Sequence, residues 1–100
     1  MSKKTDYAAR QRVAARKWKL KSYYGISIEE YDQMMLDQNY SCAICSRAQS
    51  EFKNRFHVDH CHKTGKVRSL LCSNCNSSLG GFLDNPALLR RAATYIEEHS

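Results

Sequence analysis

The 100-residue sequence predicts a small α+β domain held together by a metal rather than by a large core. Two knuckles, Cys42-x-x-Cys45 and Cys72-x-x-Cys75, are separated by 26 residues. Between them, two short segments flank Thr64-Gly65 in the pattern of a β-hairpin. Around them lie stretches with helical composition, periodicity or caps. A chain of 11.5 kDa buries little surface. Scaffolds of that size often need a metal, disulfides or a partner chain.

Each element follows from local chemistry. Residues 7–22 are rich in Ala, Arg and Lys with no Gly or Pro, which predicts a helix. Its apolar stripe, Val13, Ala14 and Trp18, is weak, and Tyr24-Gly25 breaks it. Ser27-Ile28-Glu29-Glu30 is a capping-box pattern. It opens a second helix that runs to about Asp37, with Asn39 ending it. Residues 40–56 read as irregular. Phe56–His60 and Lys66–Leu71 read as paired strands. Residues 73–79 suit a short helix ended by Gly80-Gly81. Asn85-Pro86 starts a last helix, with Asn as N-cap and Pro at N1. Leu88, Leu89, Ala92, Ala93 and Ile96 are expected to form its buried stripe.

Composition excludes several classes. Charged residues make up 26% and mean hydropathy is −0.66, which suits a soluble protein with a small core. No stretch approaches the roughly 18 apolar residues of a membrane span. The first ten residues lack the apolar region of a secretory signal, so an intracellular, cytoplasmic protein is expected. The charge is unevenly placed. Residues 1–25 hold eight Lys and Arg against one acid, Asp6. The other 75 residues hold eight basic and nine acidic residues. A polyanion such as DNA is the natural partner of so basic a segment, through Arg10, Arg12, Arg16, Lys17, Lys19 and Lys21. The alternative is a solvated helix that only keeps the protein in solution.

Two CxxC knuckles can place four thiolates around one zinc ion. Disulfides would suit a secreted protein, and a redox CxxC normally occurs once, near a βαβ pattern. A second zinc scheme competes. Cys42, Cys45, His57 and His62 approach the spacing of a two-Cys, two-His finger. That scheme strands Cys72 and Cys75, and Gly65 argues against the continuous helix it needs. Cys61 is unpaired in either scheme. His57 is expected to play a structural part at the hairpin base, and His99 to favour a helix C-terminus when charged.

Val58-Asp59-His60-Cys61-His62 lies between the knuckles, and Asn76 follows Cys75. Asp59 offers a hard carboxylate oxygen and Asn76 an amide oxygen for a divalent ion, usually Mg²⁺. His60 has a pKa range suited to taking a proton from water. Together they form a minimal set for phosphodiester hydrolysis. Zinc at the knuckles would orient these groups without taking part in the chemistry. Lys66 and Arg68, on the second strand, are candidates for phosphate contacts.

The run HVDHCHKTGKVRSLLCSNCN, with YGISIEEYDQMMLDQNYSCAIC upstream and LGGFLDNPALLRRAATYIEEH downstream, resembles the recombination endonuclease VII family. These are phage-type nucleases of the HNH, or ββα-metal (His-Me finger), superfamily. The similarity covers about residues 23–98. It implies a zinc-stapled ββα-metal finger flanked by helices, with structural zinc on Cys42, Cys45, Cys72 and Cys75. It also implies Mg²⁺ or Mn²⁺ on Asp59 and Asn76, His60 as general base, and His62 assisting at the phosphate. The family often reads Asp-His-Asp-His, where this chain has Cys61 at the third position.

The expected organisation is therefore a basic helical arm, residues 1–25, and a nuclease domain, residues 26–100. The expected activity is metal-dependent hydrolysis of duplex or branched, Holliday-junction-like DNA. A phage-encoded enzyme of this kind would work in a bacterial host. Cutting both strands with one active site per chain favours a homodimer. The competing reading is a non-catalytic zinc module that binds DNA or a protein.

Overall fold

A computed structural model describes the backbone of residues 3–100 and the side chains of residues 7–100. Lys3 and Lys4, part of the expected basic arm, have side chains outside the described residues. The order of elements is helix α1 (Lys3–Lys19), a π-helical turn (Leu20–Tyr24), α2 (Ile28–Asp37), a 3-10 turn (Gln49–Glu51), β1 (His57–His60), β2 (Val67–Leu71), α3 (Ser73–Gly81) and α4 (Pro86–Glu98). β1 and β2 form a two-stranded antiparallel sheet. The small α+β class and the β-β-α order expected from the sequence are both present.

α1 is predominantly polar, with Val13 and Trp18 exposed, so it is tied to the domain at its C-terminal end. Leu20 is buried there. One turn earlier the Arg16 guanidinium lies 4.9 Å from the Tyr31 ring centroid and 3.6 Å from Asp32. Gly25 then turns the chain with φ 71°, a left-handed conformation that costs glycine little. A 17-residue helix is about 25 Å long, which helps stretch the molecule to 59 Å in its longest dimension.

α2 begins with the capping box read from the sequence. Ser27 Oγ accepts from the Glu30 N–H at 3.0 Å, and Glu30 accepts from the Ser27 N–H at 3.1 Å. Its inner face, Tyr31 and Met35, meets Ile26, Phe56, Val58, Leu70 and Leu71 in the core. Cys42 and Cys72 are buried in the same cluster, so the knuckles border the core directly. Asn39 and Tyr40, both at positive φ, end α2 as expected.

Two expectations fail near the C-terminal end. Gly80 and Gly81 do not stop α3 but belong to it. The left-handed turn comes later, where Leu83 and Asp84 take φ of 56° and 54°. Asp84 N–H reaches back to the Leu79 carbonyl at 2.8 Å, satisfying an end-of-helix acceptor. α4 starts as predicted, with Asn85 Oδ1 accepting from the Ala87 and Leu88 N–H groups. Its apolar stripe is not buried. Leu88, Leu89 and Ala92 are half-buried, and Ile96 is 65% exposed. The turn at Leu83-Asp84 directs α4 away from the core, so the stripe lacks a covering element among the described residues.

Candidate active site and cysteine cluster

The Sγ atoms of Cys42, Cys45, Cys72 and Cys75 all lie within 4.8 Å of one another. Cys45 and Cys72 sulfurs are 3.8 Å apart. Four sulfurs placed tetrahedrally at about 2.3 Å from one ion sit about 3.8 Å apart. The donor set therefore fits a single ion such as zinc. Backbone donors face the sulfurs: Cys72 N–H to Cys42 Sγ and Cys75 N–H to Cys72 Sγ, each 3.4 Å. Burial raises the Cys42 pKa, but hydrogen bonds from the backbone at Cys45, Cys72 and Ile44 outweigh it and lower the value to about 6. Burial, with the neighbouring sulfurs, pushes Cys75 up to about 12. His57 and His62 are not in the cluster. They line a separate cleft, so the two-Cys, two-His scheme is not the one the fold builds.

The first knuckle is shaped by Ser46 at φ 64° and by Cys42 N–H donating to the Arg47 carbonyl at 2.9 Å. It docks on β2 through Ala43 N–H to the Leu70 carbonyl, 3.2 Å. The second knuckle forms the start of α3, with Cys72 as N-cap. Asn76 lies one residue beyond it, on the first turns of that helix.

The hairpin carries the other candidate groups. His57 pairs with Leu71, Val58 with Leu70 and His60 with Val67. This register leaves Arg68 and Ser69 opposite Asp59 alone, which is a β-bulge in β2. A bulge re-aims side chains, and here it brings Arg68 across Asp59. Arg68 Nη2 donates to Asp59 Oδ1 at 3.0 Å while Nε donates to Oδ2. The same guanidinium donates to both oxygens of Asp84 at 3.1 Å. Arg68, a predicted phosphate contact, is therefore shared between two carboxylates. These partners hold its pKa above the ordinary guanidinium value.

Asp59, His60, His62, Arg68, Asn76 and Asp84 line one cleft of about 230 Å³, joined by Tyr24, His57, Val58, Leu79 and Gly80. The fold thus brings Asp59, His60, His62 and Asn76 together. The His60 ring neighbours two others, its centroid 5.7 Å from that of Tyr24 and 5.0 Å from that of His62. Asp59 is 9% exposed, unusually buried for a carboxylate. The half-buried Asn76 side chain has no hydrogen-bond partner among the described residues. Lys66 is exposed and outside this lining. His57 is exposed at the cleft mouth rather than packed at the hairpin base as expected. Cys61 stands apart from the cysteine cluster, and its thiol is held below the ordinary value chiefly by a hydrogen bond involving the Thr64 side chain.

Sequence reasoning missed Tyr24 and Asp84. Tyr24 read only as a helix end, and Asp84 as a residue before a cap. Both are remote in sequence from the hairpin, and neither belongs to a motif with fixed spacing.

Residues 17–98 match the family described as recombination endonuclease VII. The chain belongs to the recombination endonuclease VII family. Two relatives are both called "Gene 59 protein". That of Mycobacterium phage L5 is 46% identical over 74 residues, 73% of this chain and 44% of the relative. That of Mycobacterium phage D29 is 45% identical over 76 residues, 75% of this chain and 46% of the relative. The chain spans less than half the length of these relatives. No solved structure matches it. The endonuclease VII match takes in both knuckles, the hairpin, α3 and α4. It leaves most of α1 outside. No helix among the described residues is long and apolar enough to cross a membrane.

Proposed function

We propose that this endonuclease VII family member is a metal-dependent DNA endonuclease of the HNH type, hydrolysing phosphodiester bonds in the cleft between the hairpin and α3. The observation that carries this is convergence. A buried carboxylate, an imidazole and an unpartnered amide share one cleft beside a four-cysteine cluster. The cysteines hold zinc in a structural role, which fixes the start of α3 and hence Asn76.

The cleft donors suit Mg²⁺ or Mn²⁺. Asp59 supplies carboxylate oxygens and Asn76 an amide oxygen, the hard donors such ions prefer. Asp59 already accepts a cationic partner, the Arg68 guanidinium. When bound, the ion stabilises charge on the scissile phosphate and on the leaving 3′-oxygen. The chain's own residues do the rest. His60 takes a proton from the attacking water, and its ring neighbours those of Tyr24 and His62. His62, exposed at the cleft edge, meets the phosphate. Arg68 retains Asp84 as a partner when Asp59 engages another cation. The products carry 5′-phosphate ends.

Residues 1–25 form the basic arm and residues 26–100 the nuclease domain. Arg10, Arg12, Arg16, Lys17, Lys19 and Lys21, with Lys66 on the hairpin turn, contribute phosphate contacts. Membership of the endonuclease VII family supports branched DNA as substrate. The uncovered stripe of α4 supports a homodimer. Phage relatives support action inside a bacterial host.

The test compares linear duplex, supercoiled plasmid and a four-way junction with purified zinc-bound protein and Mg²⁺, beside Asp59→Ala and His60→Ala. Each substitution should lower cleavage by about 10²-fold or more with zinc content unchanged. Full cleavage by both variants would sink the mechanism. DNA binding without Mg²⁺-dependent cutting by the wild type would favour the non-catalytic zinc module.

A further inference from the structure

We infer that a groove beside α1 is a second DNA-binding surface, seating the phosphate backbone of the strand that continues out of the catalytic cleft. The inference rests on the nuclease reading for what occupies the cleft.

The groove has a volume of about 540 Å³ and lies between α1 and the segment entering β1. Among the described residues, four cations line it: Arg12, Arg16 and Lys19 from α1 and Arg55 from the segment before β1. Leu20, Tyr31 and Phe56 supply apolar and aromatic surface. Among the described residues, no acidic one is part of the lining. Asp32, outside the lining, pairs with Arg16 at 3.6 Å. Among the described residues, no carboxylate forms an ion pair with Arg12, Lys19 or Arg55.

Position makes this more than a basic patch. Tyr24, His57 and Val58 line both the groove and the catalytic cleft, so the two are continuous. Arg12, Arg16 and Lys19 fall four and three residues apart, on one helix face. They span about 10 Å along the helix, the axial rise of about three nucleotides. A polyanion entering the cleft thus finds a run of cations with an apolar floor between them. Lys17 and Lys21 carry equal charge on neighbouring turns but do not line the groove. Arg55 lies far from the arm in sequence and joins it only through the fold.

The test compares two double variants with the same loss of charge, Arg12→Gln/Arg55→Gln and, outside both the groove and the cleft, Arg90→Gln/Arg91→Gln. Binding to a labelled duplex is followed by fluorescence anisotropy across a salt series, without added divalent ion. The groove double variant should weaken binding about tenfold or more. Its log–log salt slope should fall by about 2, near 0.9 for each phosphate that is no longer neutralised. The control double variant should stay within about threefold of wild type. Independently of either variant's folding, p-benzoylphenylalanine at position 15, on the groove lining, should crosslink to DNA, while the same probe at position 13 should not. Equal weakening by the two double variants, or absence of the crosslink at position 15, would overturn the groove. Mg²⁺-dependent cleavage and its loss in Asp59→Ala judge the nuclease reading separately, because the binding measurement needs no catalysis.

Discussion

Arg68 forms the densest set of side-chain polar contacts among the described residues. It satisfies both oxygens of the buried Asp59 and both oxygens of Asp84. Removing it leaves Asp59, 9% exposed, without its cationic partner. Losing one partner of a fully buried pair costs about 3–5 kcal/mol. The Arg68 side chain is 36% exposed, so the cost here is smaller. Arg68→Met should destabilise the zinc-bound protein by about 2 kcal/mol, read by urea unfolding without added Mg²⁺. Asp84 supplies a pH test. Hydrogen bonds from Arg68 hold its carboxyl below the ordinary value of 3.8. A lowered folded pKa means the pair's contribution is complete above the unfolded value and is lost as pH falls through the folded one. Carbon-13 NMR should place the Asp84 midpoint below 3.8, and Arg68→Gln should return it toward 3.8. An unchanged midpoint in that variant would dissociate Asp84 from Arg68. Two glutamines show how side chains can complete backbone pairing. Gln38 donates to the Leu70 carbonyl at 3.0 Å and accepts from the Leu70 N–H at 2.9 Å. Gln49 accepts from the Phe56 N–H at 2.9 Å and donates to the Asn54 carbonyl. Neither role has a local sequence signature, because the partners lie in other segments.

Among the elements, caps were legible and tertiary partners were not. The Ser27/Glu30 box is formed as its spacing predicts, since the geometry is contained within four residues. Ser27→Ala should cost about 1 kcal/mol, measurable as a lowered thermal midpoint. α3 runs through Gly80 to end on Gly81 because both glycines take helical conformations, and the left-handed turn falls on Leu83 and Asp84 instead. That turn positions Asp84 against Arg68. α4 has the amphipathic pattern of a core helix, yet none of its residues is buried. Periodicity identifies a face that prefers cover without saying which surface covers it. If a second copy does, Leu89→Ser should shift sedimentation toward monomer. Monomer stability should change by less than about 1 kcal/mol, as expected for a half-buried position. A monomeric wild type at high concentration would remove the dimer reading.

The molecule as a whole has a small core bordered by the cysteine cluster, with α1 extending from it. Binding energy for a structural zinc in small metallodomains contributes directly to folding, at about 10–16 kcal/mol in zinc-finger peptides near neutral pH. Cys72→Ser should therefore abolish zinc binding and much of the cooperative fold, seen together by metal analysis and circular dichroism. His57→Ala should retain the metal. The reverse pattern would restore the two-Cys, two-His scheme. The basic surplus also acquires a direction at this scale. Arg12, Arg16 and Lys19 turn toward the groove that joins the cleft, whereas Lys17 and Lys21 do not line it.

Features whose geometry closes over a few residues were readable from the amino acids alone. These were the two knuckles, the capping box, the Asn85-Pro86 start, the hairpin turn at Gly65 and the adjacency of Asp59 and His60. The meeting of distant groups belongs to the folded chain. Folding gathered four sulfurs from two knuckles, aligned Asn76 with the hairpin, and drew Tyr24 and Asp84 to the cleft. It also set Arg68 between two carboxylates through a bulge in β2. Local patterns are governed by backbone torsions and near-neighbour hydrogen bonds, which the residue order carries directly. Contacts across the chain depend on register, helix exit angles and the packing of a small core, and these emerge only when the elements are assembled.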